Sequence, residues 1–185
     1  TRPYCKGWGR GKVLNHDARR KMADVELPGM PHLGSGVAFD WKGRRVMATP
    51  NLKEGVISVI DTKDWKTVAN VATLGPGFFL RSHEKSRYAF ADAMMSPTAK
   101  DTLIAIDKET LTIAARLRPV PGKTFAHVEF TRDGRYALAS LMELDGAIIV
   151  IDAQTLQEVK RLPMNKPIGK YNVWNKISRS EGTSH

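Results

Sequence analysis

Hydrophobic positions in this chain come in short runs separated by turn residues. Val56-Ile57-Ser58-Val59-Ile60 and Ala147-Ile148-Ile149-Val150-Ile151 are apolar at almost every position, the pattern of strands covered on both faces. Thr67-Val68-Ala69-Asn70-Val71 alternates instead, as a strand with one wet face does. Lys42-Gly43 and Asp133-Gly134 interrupt such runs, and glycine dipeptides of this kind join neighbouring strands as hairpins. No stretch of useful length repeats with a helical period. The pattern predicts an all-β fold.

The runs recur as a unit. Val59-Ile60-Asp61-Thr62-Lys63-Asp64-Trp65 returns as Ala105-Ile106-Asp107-Lys108-Glu109-Thr110-Leu111 and again as Val150-Ile151-Asp152-Ala153-Gln154-Thr155-Leu156, with the aspartates 46 and 45 residues apart. A weaker upstream copy is read at Asp17, 44 residues before Asp61. Each aspartate is expected to open a tight turn, because its carboxylate accepts bonds from the backbone N–H groups just ahead. Four strands in about 45 residues make one β-propeller blade of four antiparallel strands. The predicted organisation is the last two strands of a partial blade over 1–28, whole blades over 29–73, 74–117 and 118–163, and a C-terminal closing segment over 164–185. A propeller closes with about four to eight blades, so the chain reads as the C-terminal portion of a longer one. An open sheet edge must pair or be covered, so self-association or pairing with a missing N-terminal half is expected.

Composition narrows the function classes. No run of about 18 apolar residues is present, so no membrane span is expected. Cys5 is the only cysteine, which excludes an internal disulfide and a cysteine-rich metal site. With no C-x-x-C-H, this segment carries no c-type haem. The net charge of +10 suits nucleic acid, an acidic membrane surface or a polyanionic small molecule. The basic residues are scattered and lack interleaved aromatics, which argues against nucleic acid.

Propeller sites form from loops at one end of the blades: here Pro28–Gly36, Leu74–Gly77 and Pro119–Lys123 between blades, and Thr49–Gly55, Met94–Asp101 and Met142–Gly146 within them. His32 falls in a glycine-rich connection, where backbone can approach a ligand closely. His127 begins an inner strand and His83 ends another. His16 and His185 sit in the partial blade and at the chain's end. Imidazole serves as proton carrier or metal ligand, and Glu84 and Glu129 are available partners. Trp8, Trp41, Trp65 and Trp174 read as packing residues, since Trp65 shares its repeat position with Leu111 and Leu156. There is no nucleophile elbow, phosphate loop or paired-carboxylate signature.

Gly75-Pro76-Gly77-Phe78-Phe79-Leu80-Arg81-Ser82-His83, Thr49-Pro50-Asn51-Leu52-Lys53-Glu54-Gly55 and the tail Gly169-Lys170-Tyr171-Asn172-Val173-Trp174-Asn175, taken with the repeats, resemble the C-terminal half of the haem d1 domain family over roughly residues 28–185. That family comprises cytochrome cd1 nitrite reductases and haem d1 biosynthesis proteins. The resemblance implies about half of an eight-bladed propeller, a periplasmic setting, and haem d1 or dihydro-haem d1, a carboxylate-rich tetrapyrrole, on the axis. Nitrite reductases of the family carry two histidines over the iron; Asn51 stands where one would be, and His83 matches the other. Asn51 cannot carry a proton as imidazole does, which turns the expectation from nitrite reduction toward a late biosynthetic step, dehydrogenation of a propionate to an acrylate or an adjacent one. His83 or His127 is the expected base. His32, Asn51 and Arg81 are the expected cofactor contacts, Arg81 because guanidinium suits carboxylate. A nitrite reductase domain and a non-enzymatic scaffold or tetrapyrrole carrier remain the rival readings.

Overall fold

The computed structural model describes residues 2–5, 9–15 and 17–170. Tyr171 to Asn175 of the tail, His16, His185, Trp8 and Trp174 lie outside the described residues. The strands form four antiparallel meanders in chain order. The first sheet holds β1 (Arg2–Cys5), β2 (Arg10–Asn15) and β3 (Arg20–Glu26). The second holds β4 (Val37–Trp41), β5 (Arg44–Thr49), β6 (Val56–Asp61) and β7 (Thr67–Ala72). The third holds β8 (Leu80–Arg81), β9 (Tyr88–Asp92), β10 (Leu103–Asp107) and β11 (Ile113–Leu117), and the fourth β12 (Phe125–Phe130), β13 (Tyr136–Leu141), β14 (Ala147–Asp152) and β15 (Glu158–Pro163). Among the described residues no helix is long and apolar enough to cross a membrane.

Two sequence expectations change at the N-terminal sheet. It has three strands rather than two, because Arg2–Cys5 pairs along β2; four residues are too short to display a period of their own. The fourth copy of the repeated turn begins at Asn15, not Asp17. Asn15 Oδ1 accepts the amides of Asp17 and Ala18 at 3.0 and 2.9 Å. Asp107 Oδ1 likewise takes Glu109 and Thr110 (2.8 and 3.1 Å), and Asp152 Oδ1 takes Gln154 and Thr155 (3.0 and 2.9 Å). Asn15 stands 46 residues before Asp61, so the repeat is more regular than aspartate alone reveals. Each copy ends in a left-handed residue: Arg19, Trp65, Leu111 and Leu156 have φ of 48°, 61°, 57° and 61°.

The core lies between the blades. Val13 and Val25 of the first sheet meet Ile60 of the second. Val46, Ala48, Ile57 and Val59 of the second meet Leu80, Ala89, Ala91, Ile104 and Ile106 of the third. Phe90, Leu103 and Ala105 of the third meet Phe125, Val128, Ala139, Ile149 and Ile151 of the fourth. Ile104 and Ile106 thus face one seam and Leu103 and Ala105 the next, which is why β10 is apolar at consecutive positions. Burial falls across the fourth blade, from β12, buried throughout, to β15, exposed throughout. Trp65, Leu111 and Leu156 each pack into the seam between their own blade and the preceding one.

Candidate functional site

At one end of the blades, the connection entering each four-stranded sheet is tied to the loop between that sheet's second and third strands. The His32 amide donates to the Pro50 carbonyl at 2.8 Å and the Leu52 amide to Met30 at 2.9 Å. The Met95 amide donates to Pro76 at 3.1 Å and the Met142 amide to Thr124 at 2.8 Å. A polar side chain past or at the end of the second strand completes each tie. Asn51 accepts the Met30 amide (3.1 Å), Asp92 those of Phe78 and Phe79 (2.9 and 2.8 Å), and Glu143 that of Thr124 (2.7 Å).

Asn51 spends its whole side chain on this task. Its Oδ1 also takes the amides of Lys53 and Glu54 at 2.9 and 3.0 Å, and its Nδ2 donates to the Pro28 carbonyl at 2.6 Å. It holds the loop that carries His32. Asn51→Ala would strand several part-buried backbone groups, and a buried polar group without a partner costs about 1–3 kcal/mol. The expected loss is about 2–4 kcal/mol, read as a lowered urea midpoint of the full-length protein; an unchanged midpoint would remove Asn51 from the loop's support.

A row of rings starts from that loop. His32 packs on Phe78 with centroids 4.1 Å apart, Phe78 on Phe79 at 4.7 Å, and Phe79 edge-on against His127 at 4.4 Å. His32, Phe78 and Phe79 are half-buried and His127 is buried. His32 Nδ1 lies 2.8 Å from the Phe78 carbonyl; a carbonyl only accepts, so Nδ1 is the donor in this contact. Asp92 fixes the Phe78–Phe79 segment through their amides and also accepts that of Met94 at 3.1 Å. Burial pushes its carboxyl up to about 6 against the opposing effect of these bonds. At Gly77 a Cβ would run into the Asp92 carbonyl, so only glycine lets the loop lie this close.

His127 sits at a β-bulge between Ala126 and Val128, with φ of 52°. A bulge re-aims a side chain, and left-handed backbone at a non-glycine residue is held by its surroundings. Lys170 Nζ donates to the His127 carbonyl and, at 2.8 Å, to Ser140 Oγ, and lies 3.4 Å from His127 Nδ1. Burial pulls Lys170 down to about 7, partly countered by Glu129 and reinforced by Arg81. Those two form an ion pair: Arg81 Nε donates to Glu129 Oε1 at 3.2 Å, and Arg81 is 2% exposed.

His32, Asn51 and His127 therefore gather at one end, with Arg81 paired to Glu129 beneath. His83 does not join them. It lies beyond β8, where its Nδ1 accepts the Lys85 amide at 3.1 Å and its Nε2 donates to the Arg132 carbonyl at 3.2 Å. A Cβ at Gly134 would strike its ring, and burial holds its imidazole below the ordinary value. Sequence reasoning passed over Phe78 and Phe79 as site residues, and over Asp92 and Lys170. Two adjacent phenylalanines after Gly-Pro-Gly were the available signal; Lys170 offered only its place in the tail motif.

Residues 7–176 match the family described as the cytochrome D1 heme domain. The chain is 57% identical over 175 residues to the dihydro-heme d1 dehydrogenase of Pseudomonas aeruginosa, covering 95% of this chain and 35% of that protein. A solved structure of dihydro-heme d1 dehydrogenase NirN in complex with DHE superposes with a TM-score of 0.87 at 56% identity, over 92% of this chain and 36% of that one. The hydrazine synthase of Kuenenia stuttgartiensis shares the fold at a TM-score of 0.68 and 12% identity, over 85% of this chain and 44% of that one. The chain spans about a third of the length of the two dehydrogenases.

Proposed function

This chain belongs to the cytochrome D1 haem domain family, and from that premise we propose that it forms part of the tetrapyrrole site of a periplasmic protein acting late in haem d1 biosynthesis, on dihydro-haem d1. The observation that carries the reading is the row of half-buried rings from His32 through Phe78 and Phe79 to the His127–Lys170 pair. Flat, partly accessible rings suit a macrocycle face. The high identity to a dihydro-heme d1 dehydrogenase across nearly the whole chain supports the same reading.

The proposed reaction turns a propionate side chain into an acrylate, releasing two protons and two electrons. The bound macrocycle supplies the path for the electrons to an external acceptor. The chain's own residues orient the substrate and take one proton, and the second leaves to solvent as the electrons depart. His127 is the proposed base, held in place by its bulge and by Lys170. At 2% exposure it meets a substrate side chain only when part of its cover moves aside. The remaining blades of the full-length protein are proposed to complete the pocket.

The test titrates the full-length protein with dihydro-haem d1 and follows absorption. Wild type is expected to shift the spectrum and convert it with time. His127→Gln should bind but convert at least about 100-fold more slowly, the usual worth of a general base. His83→Gln should lower the unfolding midpoint and leave conversion intact. A spectrum that never shifts, or His127→Gln turning over at the wild-type rate, would overturn the proposal; a shift without conversion in wild type would make the protein a carrier.

A further inference from the structure

Lys170 reaches His127 across 43 residues of sequence and touches it twice, at the carbonyl and at 3.4 Å from Nδ1, with Ser140 Oγ of β13 as its third neighbour. The charged groups facing it are Glu129 of β12 and Arg81 of β8, and these already satisfy each other. Its charge is therefore easily given up, and burial leaves ammonium and amine both populated near pH 7.

The two forms have opposite effects on the imidazole. An ammonium donates toward Nδ1 and makes it the acceptor, so the neutral ring carries its proton on Nε2, which then has no lone pair to offer. An amine accepts from Nδ1–H and frees Nε2. We propose that Lys170 is a positioning residue that works as an amine: it takes the Nδ1 proton of His127 as Nε2 takes a proton from the substrate. The step balances as two bonds broken and two formed. A substrate C–H bond breaks and leaves its electron pair on carbon, one N–H bond forms at Nε2, one breaks at Nδ1 and one forms at Nζ; the ring ends neutral, Lys170 ends as ammonium, and no electrons leave the substrate in this step. The inference rests on His127 being the base.

The experiment uses the full-length protein and three forms of residue 170. In the ligand-free protein at pH 8, the ¹⁵N shifts of the His127 ring report which nitrogen carries the proton. Turnover of dihydro-haem d1 is followed from pH 6 to 9. Wild type is expected to show the Nδ1–H tautomer and a rate that climbs through about pH 7. Lys170→Arg keeps a donor beside His127 and has no amine form at these pH values. It should show the Nε2–H tautomer, lose the limb near pH 7 and turn over about 100-fold more slowly. Lys170→Met should also lose the limb, and serves if the arginine variant does not fold. Full activity with an unchanged limb in Lys170→Arg, or one tautomer shared by wild type and both variants, would overturn the inference. If His127→Gln turns over normally, the assignment of His127 as base fails, while the tautomer measurement still reports on the pair.

Discussion

Arg81→Ala is expected to destabilise the protein by about 3–5 kcal/mol, the usual cost of removing one partner from a buried ion pair. Arg81 is 2% exposed and its Nε donates to Glu129 Oε1 at 3.2 Å. The two residues stand on the first strands of neighbouring blades, β8 and β12. Only two residues make up β8, and Arg81 ties that strand across the seam to β12, between the Phe79–His127 and His83–Arg132 contacts on either side. The loss should appear as a fall in the urea midpoint at constant slope. Replacing both partners, as Arg81→Met with Glu129→Leu, should recover most of it, because two well-packed apolar side chains leave no buried charge unpaired. A single-variant loss below about 1 kcal/mol, the level of a surface pair, would mean the pair does not hold the seam. A second effect follows at Lys170. With Arg81 gone, Glu129 attracts Lys170 unopposed, and Lys170 should hold its proton to higher pH than in wild type.

Asp92→Ala should cost a comparable amount and do more damage to the site. It removes the acceptor for three amides, those of Phe78, Phe79 and Met94, each worth about 1–3 kcal/mol if left unmet in the interior; about 3 kcal/mol or more is expected in total. The ring row depends on that segment, so His32 loses its packing partner and the carbonyl its Nδ1 donates to. Asp92→Asn is the informative companion. One oxygen can still serve Phe78 and Met94, while the amide nitrogen opposes Phe79, for a loss of about 1–2 kcal/mol. It also removes a pH dependence whose sign is fixed. Burial raises the native carboxyl from 3.8 to about 6, so between these values the native state holds a proton that the unfolded chain has released. The contribution is complete below about pH 4 and is lost as pH rises through about 6. Two pH units of difference correspond to about 3 kcal/mol. Urea midpoints at pH 4, 5 and 7 should fall with pH in wild type more steeply than in Asp92→Asn; parallel curves would show that burial of this carboxyl has no energetic weight.

The fold was legible because its packing leaves a direct trace in sequence. A strand between two seams is apolar at every position, as in Leu103-Ile104-Ala105-Ile106, and a turn that needs an acceptor at a fixed point keeps an aspartate there. Legibility ended where chemistry is interchangeable or distance is tertiary. An asparagine oxygen serves the turn as well as a carboxylate, which is why Asn15 was passed over for Asp17. Asn51 was expected among the cofactor contacts because it stands where the resembled reductases carry a histidine, and its four backbone partners emerge only when Pro28, Met30, Lys53 and Glu54 are seen around it. His83 is four residues from Phe79, yet in extended chain that spans about 13 Å, enough to carry it away from the ring row. The bulge that aims His127 and the reach of Lys170 to it leave no local pattern.

The left-handed residues that close the repeated turns have a consequence for how the molecule is assembled. Trp65, Leu111 and Leu156 each plug the seam facing the blade already made. A blade emerging from the ribosome therefore cannot seal against its predecessor until its third strand and the following turn have been synthesised. Once they have, the buried residues of that seam are present, and in the third blade the half-buried Ile113 of β11 is still to join it. Growth is thus vectorial, each blade serving as the template for the next, and the cost of closing a long loop is met in steps of about one repeat instead of all at once.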